Sequence, residues 1–224
     1  MANGVFIKIS FPSSVNTFAR GINDSGAITG THSDSANQWH GFVRDPSGTY
    51  TSFDAPDAGS QSSGTTPTAI NASGEIAGFY QDSSGMFHGF VRDPSGNITE
   101  FDTPGGTVID NPWPFINADG SVIGCYIDVN FVIHGFLRDA LGNITAIDAP
   151  NSTSTVAYGI NDRGAIVGEA IGHAGAGFRR DASGKFFKIS APPPNNGTIP
   201  VSLNLKTITG SYYDVNGGVH GFVQ

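Results

Sequence analysis

Trp39–Gly48 reads WHGFVRDPSG, and Phe87–Gly96 reads FHGFVRDPSG. A chain that writes nearly the same phrase twice is built from a repeat, and working outward from the phrase recovers the whole unit. It runs I-N-x-x-G-x-I-x-G-x-Y-x-D, then a loop, then H-G-F-V-R-D-x-x-G-x-x-x-x-F-D-x-P. Its anchors are Ile22-Asn23, Ile70-Asn71, Ile116-Asn117, Ile160-Asn161 and Leu203-Asn204, spaced by 48, 46, 44 and 43 residues. There are five units.

Each unit holds four short β-prone stretches, seen in the second as PTAIN, EIAGFYQD, FHGFVRD and NITEFDTP, separated by Gly, Ser, Asn and Pro turn clusters. No stretch carries the 3.6-residue period of an amphipathic helix. Four antiparallel strands about every 45 residues is the pattern of a propeller blade. The sequence therefore predicts an all-β chain, residues 1–224 forming one five-bladed β-propeller domain.

A closed ring must deal with its edge strands. The fifth unit stops at HGFVQ, short of its turn and fourth strand, while the chain begins MANGVFIKIS, which aligns with the fourth unit's RDASGKFFKIS. The N-terminal strand is expected to complete the last blade, with Met1 beside Gln224 across one blade turn.

Composition narrows the function classes. Lys and Arg total 11 against 19 Asp and Glu, a net charge of -8 that repels a phosphate backbone and argues against a nucleic-acid partner. The single cysteine, Cys125, can close no intrachain disulfide and builds no thiolate metal site. No apolar run approaches the roughly 20 residues of a membrane helix. The first ten residues lack the parts of a signal peptide, which leaves a soluble chain that is cytoplasmic or already trimmed. The sequence carries no phosphate loop, dinucleotide fingerprint, G-x-S-x-G or H-E-x-x-H, and no cofactor or metal is expected.

GINDSGAITG and GINDRGAIVG, each followed by an H-G-F or its variant, resemble the extracellular repeats of the bacterial HAF family, and the resemblance covers the whole chain. It implies a secreted or cell-surface setting and implies no activity.

In a meander blade the connection to the next blade and the loop between strands two and three emerge on one face. That face carries the long, variable loops, among them DAGSQSSGTT, GGTVIDNPW and PPNNGTIP, while the opposite face carries the near-constant turns INDSGA and RDPSG. Binding residues concentrate on variable loops held by a rigid scaffold, so a ligand site is expected on the long-loop face near the central channel.

Three groups of residues stand there. The first recurs: Tyr80, Asp82 and His88; Tyr126, Asp128 and His134; Tyr212, Asp214 and His220; and the variant His32, Asp34 and His40, next to Trp39. As framework, each Asp closes a hairpin loop and fixes the ring of its His. As ligand sites, Tyr offers a stacking surface and Asp and His hydrogen-bond sugar hydroxyls, giving multivalent engagement of a glycan or other polar small molecule.

The second group breaks the pattern. Blade four reads GEAIGHAGAGFRRD, with Ala170 and Ala176 replacing the tyrosine and histidine, Glu169 where other blades have Thr31, Phe79, Cys125 and Ser211, and Arg179 where they have Val43, Val91, Leu137 and Val223. Arriving together on adjacent strands, Glu169 and Arg179 are expected to pair. Otherwise Glu169 is an acid or base, Arg179 an anion clamp and His173 a proton carrier.

The third group lies on the innermost strands: Arg20, Thr68, Pro114, Tyr158 and Val201, with Trp113 beside Pro114. These bind an acidic or sugar ligand by charge-assisted hydrogen bonds and stacking, or they plug the channel with Arg20 paired to a local carboxylate. The leading reading is a lectin-like binding module. The alternative is a lyase, isomerase or hydrolase using Arg20, Tyr158, Glu169 and His173 on an acidic or carbohydrate-like substrate.

Overall fold

A computed structural model describes residues 6–59, 64–109, 113–172 and 176–224. Among them every regular element is a β-strand, arranged in five antiparallel sheets. The first comprises β1 (Asn16–Ile22), β2 (Ile28–Ser33), β3 (Trp39–Arg44) and β4 (Tyr50–Phe53), paired in that order. The second follows with β5 (Thr65–Ile70), β6 (Ile76–Gln81), β7 (Phe87–Arg92) and β8 (Ile98–Phe101).

In the third sheet the inner strand is split into β9 (Gly106–Val108) and β10 (Phe115–Ile116), both pairing with β11 (Val122–Asp128), then β12 (Ile133–Arg138) and β13 (Ile144–Ile147). The fourth holds β14 (Ser154–Ile160), β15 (Ile166–Ile171), β16 (Ala176–Arg180) and β17 (Phe186–Ile189). The fifth has three strands, β18 (Asn195–Leu203), β19 (Ile208–Asp214) and β20 (Val219–Val223).

The repeated phrase is the third strand and its turn. Its phenylalanine is the core residue: Phe42, Phe90 and Phe136 are fully buried and Phe178 nearly so. In the turn, Asp93 accepts from the backbone N–H of Asn97 at 2.9 Å, and Gly96 takes a φ of 101°, a conformation a side chain would strain. Arg92 forms no ion pair with Asp93. Its Nη1 donates to the Asp93 carbonyl at 3.2 Å while its guanidinium lies over Phe53 of the preceding sheet, 4.9 Å from the ring centroid.

The asparagine of each Ile-Asn anchor does two jobs. Asn117 Oδ1 accepts from Ser121 N at 2.9 Å, closing its own turn, and its Nδ2 donates to the Asn161 carbonyl of the next sheet at 3.2 Å. The same link joins Asn23 to Asn71 at 3.0 Å, Asn71 to Asn117 at 3.1 Å and Asn161 to Asn204 at 3.0 Å. A ladder of side-chain amides thus runs from the first sheet to the fifth.

Inner strands β1, β5, β14 and β18 each carry a β-bulge at the equivalent place, and the extra residue is Arg20, Thr68, Tyr158 and Val201 in turn. Bulges re-aim a side chain and recur next to functional sites. Four of the inner group picked out from the sequence are these bulge residues, while Pro114 and Trp113 precede the short strand β10.

Closure of the ring is not seen among the described residues. Residues 6–10 form no strand, and Phe6 and Ile7 are exposed; among the described residues the fifth sheet has three strands, and Met1 lies outside them. Sheets one to five pack in sequence, but Val219 and Val223 of the fifth and Phe18 and Ile22 of the first stay exposed. A Cβ on Gly177 would meet Pro200 of the next sheet at 2.6 Å, whereas one on Gly221 would meet nothing nearer than 3.9 Å.

Candidate functional site

The recurring Tyr/Asp/His sets sit where the second and third strands meet the long loops. Tyr80 and His88 are cross-strand partners, and their rings stack with centroids 5.0 Å apart. Asp82 Oδ1 accepts from the backbone N–H of Ser84 at 2.8 Å and of Met86 at 2.9 Å, which pins the hairpin loop, and His88 Nε2 lies 3.4 Å from Asp82 Oδ2. His88 Nδ1 donates to Asp102 at the end of the fourth strand.

Two carboxylates therefore grip one imidazole. Burial works to lower the His88 pKa, and the hydrogen bonds to Asp102 and Asp82 outweigh it, so the net direction is up. The Ser84 hydroxyl and the Met86 N–H hold Asp82 down at about 2. Burial, with Glu100 nearby, pushes the Tyr80 hydroxyl above its ordinary value.

The third sheet repeats the arrangement. Tyr126 stacks on His134 at 4.9 Å, His134 Nδ1 donates to Asp148 at 2.6 Å, and Nε2 lies 3.7 Å from Asp128. In the first sheet His32 stacks on His40 at 5.2 Å, with Asp54 2.9 Å and Asp34 3.8 Å from the His40 nitrogens, and Phe11 lies flat against His32 at 3.7 Å. In the fifth, Tyr212 stacks on His220 at 5.1 Å and His220 Nε2 donates to Asp214 at 2.9 Å, without a second carboxylate among the described residues.

The second carboxylate, Asp54, Asp102 or Asp148, is a functional partner that sequence reasoning passed over. It is the D of F-D-x-P in the repeat, and the signal was available: blade four has Ser190 there and Ala176 in place of the histidine, so the two are lost together.

The second-sheet set lines a shallow recess, and His40 and Asp54 of the first-sheet set line another. That of the second sheet holds about 220 Å³ and is lined by Tyr80, Asp82, His88, Glu100 and Asp102, with Asp57 from the preceding connection. Its first-sheet counterpart, about 230 Å³, includes Trp39, His40 and Asp54. In the fourth sheet the absent rings leave an apolar recess of about 230 Å³ lined by Ala170, Ala176, Phe178, Phe186 and Phe187, with Lys188 at its edge. His173 lies outside the described residues.

Glu169 and Arg179 do not pair. Glu169 faces β14, where the Tyr158 hydroxyl lies 3.4 Å from its Oε2, while Arg179 turns to Phe187, 5.6 Å from the ring centroid. Glu169 stands opposite Gly177 and Arg179 opposite Val167, a diagonal placement from which each side chain turns to a different neighbour. Burial raises the Glu169 carboxyl pKa, with the Tyr158 hydrogen bond opposing, and burial pushes the Tyr158 hydroxyl up to about 12.

Arg20 lies over the Trp113 indole, 4.1 Å from its centroid, reaching from the first sheet to the third. Of the four residues grouped as a catalytic set, Tyr158 meets Glu169, Arg20 lies apart over Trp113, and His173 lies outside the described residues. Cys125 is fully buried, its pKa raised to about 12 by burial, and its Sγ accepts from Ala157 N at 3.3 Å.

No protein-family model matches the chain, and no curated protein matches it. Among solved structures, TolB from Acinetobacter baumannii aligns with a TM-score of 0.59 at 15% identity, over 89% of this chain and 50% of that one, so the chain spans half of TolB. Virginiamycin B lyase from Staphylococcus aureus aligns with a TM-score of 0.54 at 14% identity, over 91% of this chain and 69% of that one. The β-propeller domain of the trilobed protease from Pyrococcus furiosus aligns at 0.45 and 9% identity, over 93% and 82%. At such identities the likeness concerns the fold alone: this chain is an all-β protein of repeated propeller-type sheets.

Proposed function

We propose that the chain is a lectin-like module that binds a glycan or similar polar ligand through recesses repeated from sheet to sheet. The observation that carries this reading is the second-sheet recess, where the His88 ring, backed by the buried Tyr80, lies beside the acceptor groups of Asp82, Glu100 and Asp102. Sugar rings bind by laying a face on an aromatic and donating hydroxyl protons to carboxylates. Both His88 nitrogens are engaged by carboxylates, which makes the histidine the fixed floor of the site and leaves exposed carboxylate oxygens for the ligand. Repetition of the set in the third sheet supports multivalent engagement.

Calorimetry against a panel of neutral and amino sugars tests this. Binding with more than one site per chain, lost in Tyr80→Ala and Asp102→Ala singly for the second-sheet site, is the expected result. No heat at millimolar sugar overturns it. The repeat's resemblance to HAF sequences supports a secreted or cell-surface setting.

A second reading rests on Tyr158 and Glu169. A half-buried carboxyl with a raised pKa, hydrogen-bonded to a phenol, is suited to general acid catalysis on a carbohydrate-like substrate. Turnover abolished by Glu169→Gln with ligand binding retained is what this reading requires.

The ring itself closes, in our reading, by docking of the fifth sheet on the first. Asn204 Nδ2 is the ladder donor without an acceptor among the described residues, and the Asn23 carbonyl is the position an acceptor would occupy. Exposed Val219 and Val223 would then cover Phe18 and Ile22, as each earlier sheet covers its neighbour.

A further inference from the structure

The inner strands β1, β5, β10, β14 and β18 read NTFARGI, TTPTAI, FI, STVAYGI and NNGTIPVSL, and they contain one charged residue, Arg20. It is the extra residue of the β1 bulge. The arginines of the third strands are placed differently: Arg44, Arg92 and Arg138 each donate to the following carbonyl, Arg179 lies over Phe187, and Arg180 has a buried Nη1 without a partner among the described residues.

Arg20 is set apart by its place on an inner strand. Among the described residues its guanidinium meets neither carboxylate nor carbonyl, its Nε is enclosed without an acceptor as it is in Arg92 and Arg138, and burial alone shifts its pKa, downward. Its one partner is the face of Trp113, which is half exposed. Stacking holds the guanidinium plane in place, and with Nε enclosed the two Nη groups are the donors left for a ligand.

A half-buried cation with no counter-charge among the described residues is costly unless an anion completes it. The geometry points to a carboxylate-binding site at Arg20, in which a ligand carboxylate accepts from the Nη groups while the attached ring or chain packs along Trp113. The ligand class is a carboxylated sugar or comparable organic acid. The site is opposite in sign to the second-sheet recess, where Asp57, Asp82, Glu100 and Asp102 repel such a ligand, so acidic and neutral ligands are sorted to different places on one molecule. This assignment stands independently of the glycan reading for the outer recesses.

The test is tryptophan fluorescence on the full chain carrying Trp39→Phe, so that Trp113 is the reporter, titrated with glucuronate and, separately, with glucose. We expect saturable quenching by glucuronate, weakened as salt rises, and none by glucose. Arg20→Gln should weaken glucuronate binding by about tenfold or more, the loss of a charge-assisted pair, Arg20→Lys should restore part of it, and Trp113→Phe, read by calorimetry, should retain part.

Equal response to glucose, or glucuronate binding unchanged in Arg20→Gln, overturns the site. Retention of fold in each variant is read from its thermal melt, and the conservative pair of substitutions keeps the outcome decisive if Arg20→Gln melts early. Loss of sugar binding in Tyr80→Ala alone would bear on the outer recess and leave this site untouched.

Discussion

The Tyr158 hydroxyl lies 3.4 Å from Glu169 Oε2, although the two residues come from different strands of the fourth sheet and Arg179 was available as a charged partner. A carboxyl in this half-buried place has a folded pKa raised above its ordinary value. The protonated form is favoured by the fold, so its contribution to stability is full below the ordinary glutamate range and declines as pH rises through the raised value. Glu169→Gln, which keeps the hydrogen bond, should remove that decline. Thermal melts of the two proteins should diverge with rising pH, the variant being the more stable at pH 8.

His88 shows the same sign from a different cause. Its folded pKa is raised by Asp102 and Asp82 against burial, so the stability it brings is complete below about 6.5 and is lost as pH rises through the folded value. Asp102→Asn removes the stronger partner. The His88 ring resonances, followed by NMR, should titrate at lower pH in the variant than in the parent.

Asp82 works in the acid direction. Its folded pKa is held at about 2 by Ser84 and the Met86 N–H, so its contribution is present above the ordinary aspartate range and lost as pH falls toward that value. Asp82→Ala should lower stability at pH 7 through the lost loop hydrogen bonds. The difference from the parent in urea unfolding should shrink toward pH 2.

The amide ladder makes a quantitative prediction. Asn117 is buried and bonded on both sides, so Asn117→Ala should cost about 2–3 kcal/mol. Asn204 Oδ1 accepts from Lys206 N at 2.7 Å and Thr207 N at 2.8 Å, and its Nδ2 has no partner among the described residues. Asn204→Ala should cost roughly 1 kcal/mol in an open arc and approach the Asn117→Ala value if the fifth sheet docks on the first.

Glycine substitutions report on the same question. Gly177→Ala drives a Cβ into Pro200 and should destabilise by about 1–3 kcal/mol. Gly221→Ala, with open space around it, should stay within about 0.5 kcal/mol of the parent, and a larger loss would mark a covered fifth sheet.

Much of the architecture was legible in the repeat because a blade is a local object. The anchor asparagine, the turn glycine at Gly96 and the core phenylalanine at Phe90 act within one unit or between neighbours, and each recurs at a fixed offset. The Tyr80–His88 stack was equally readable, since cross-strand register follows from hairpin length. The partnership of His88 with Asp102 was harder, being written fourteen residues apart, with Asp102 just past the end of the neighbouring strand.

What the sequence determined by itself is the repeat, the strand order within each unit and the identity of the odd members: Glu169, Arg179 and Arg20 announce themselves by departing from an otherwise regular pattern. Only the tertiary structure decided what those odd residues do. Side-chain direction depends on bulge and register, which turn Glu169 to Tyr158, Arg179 to Phe187 and Arg20 to Trp113 across an intervening sheet. Spacing along a chain records which residues recur; the summed twist and packing of whole sheets sets which of them meet.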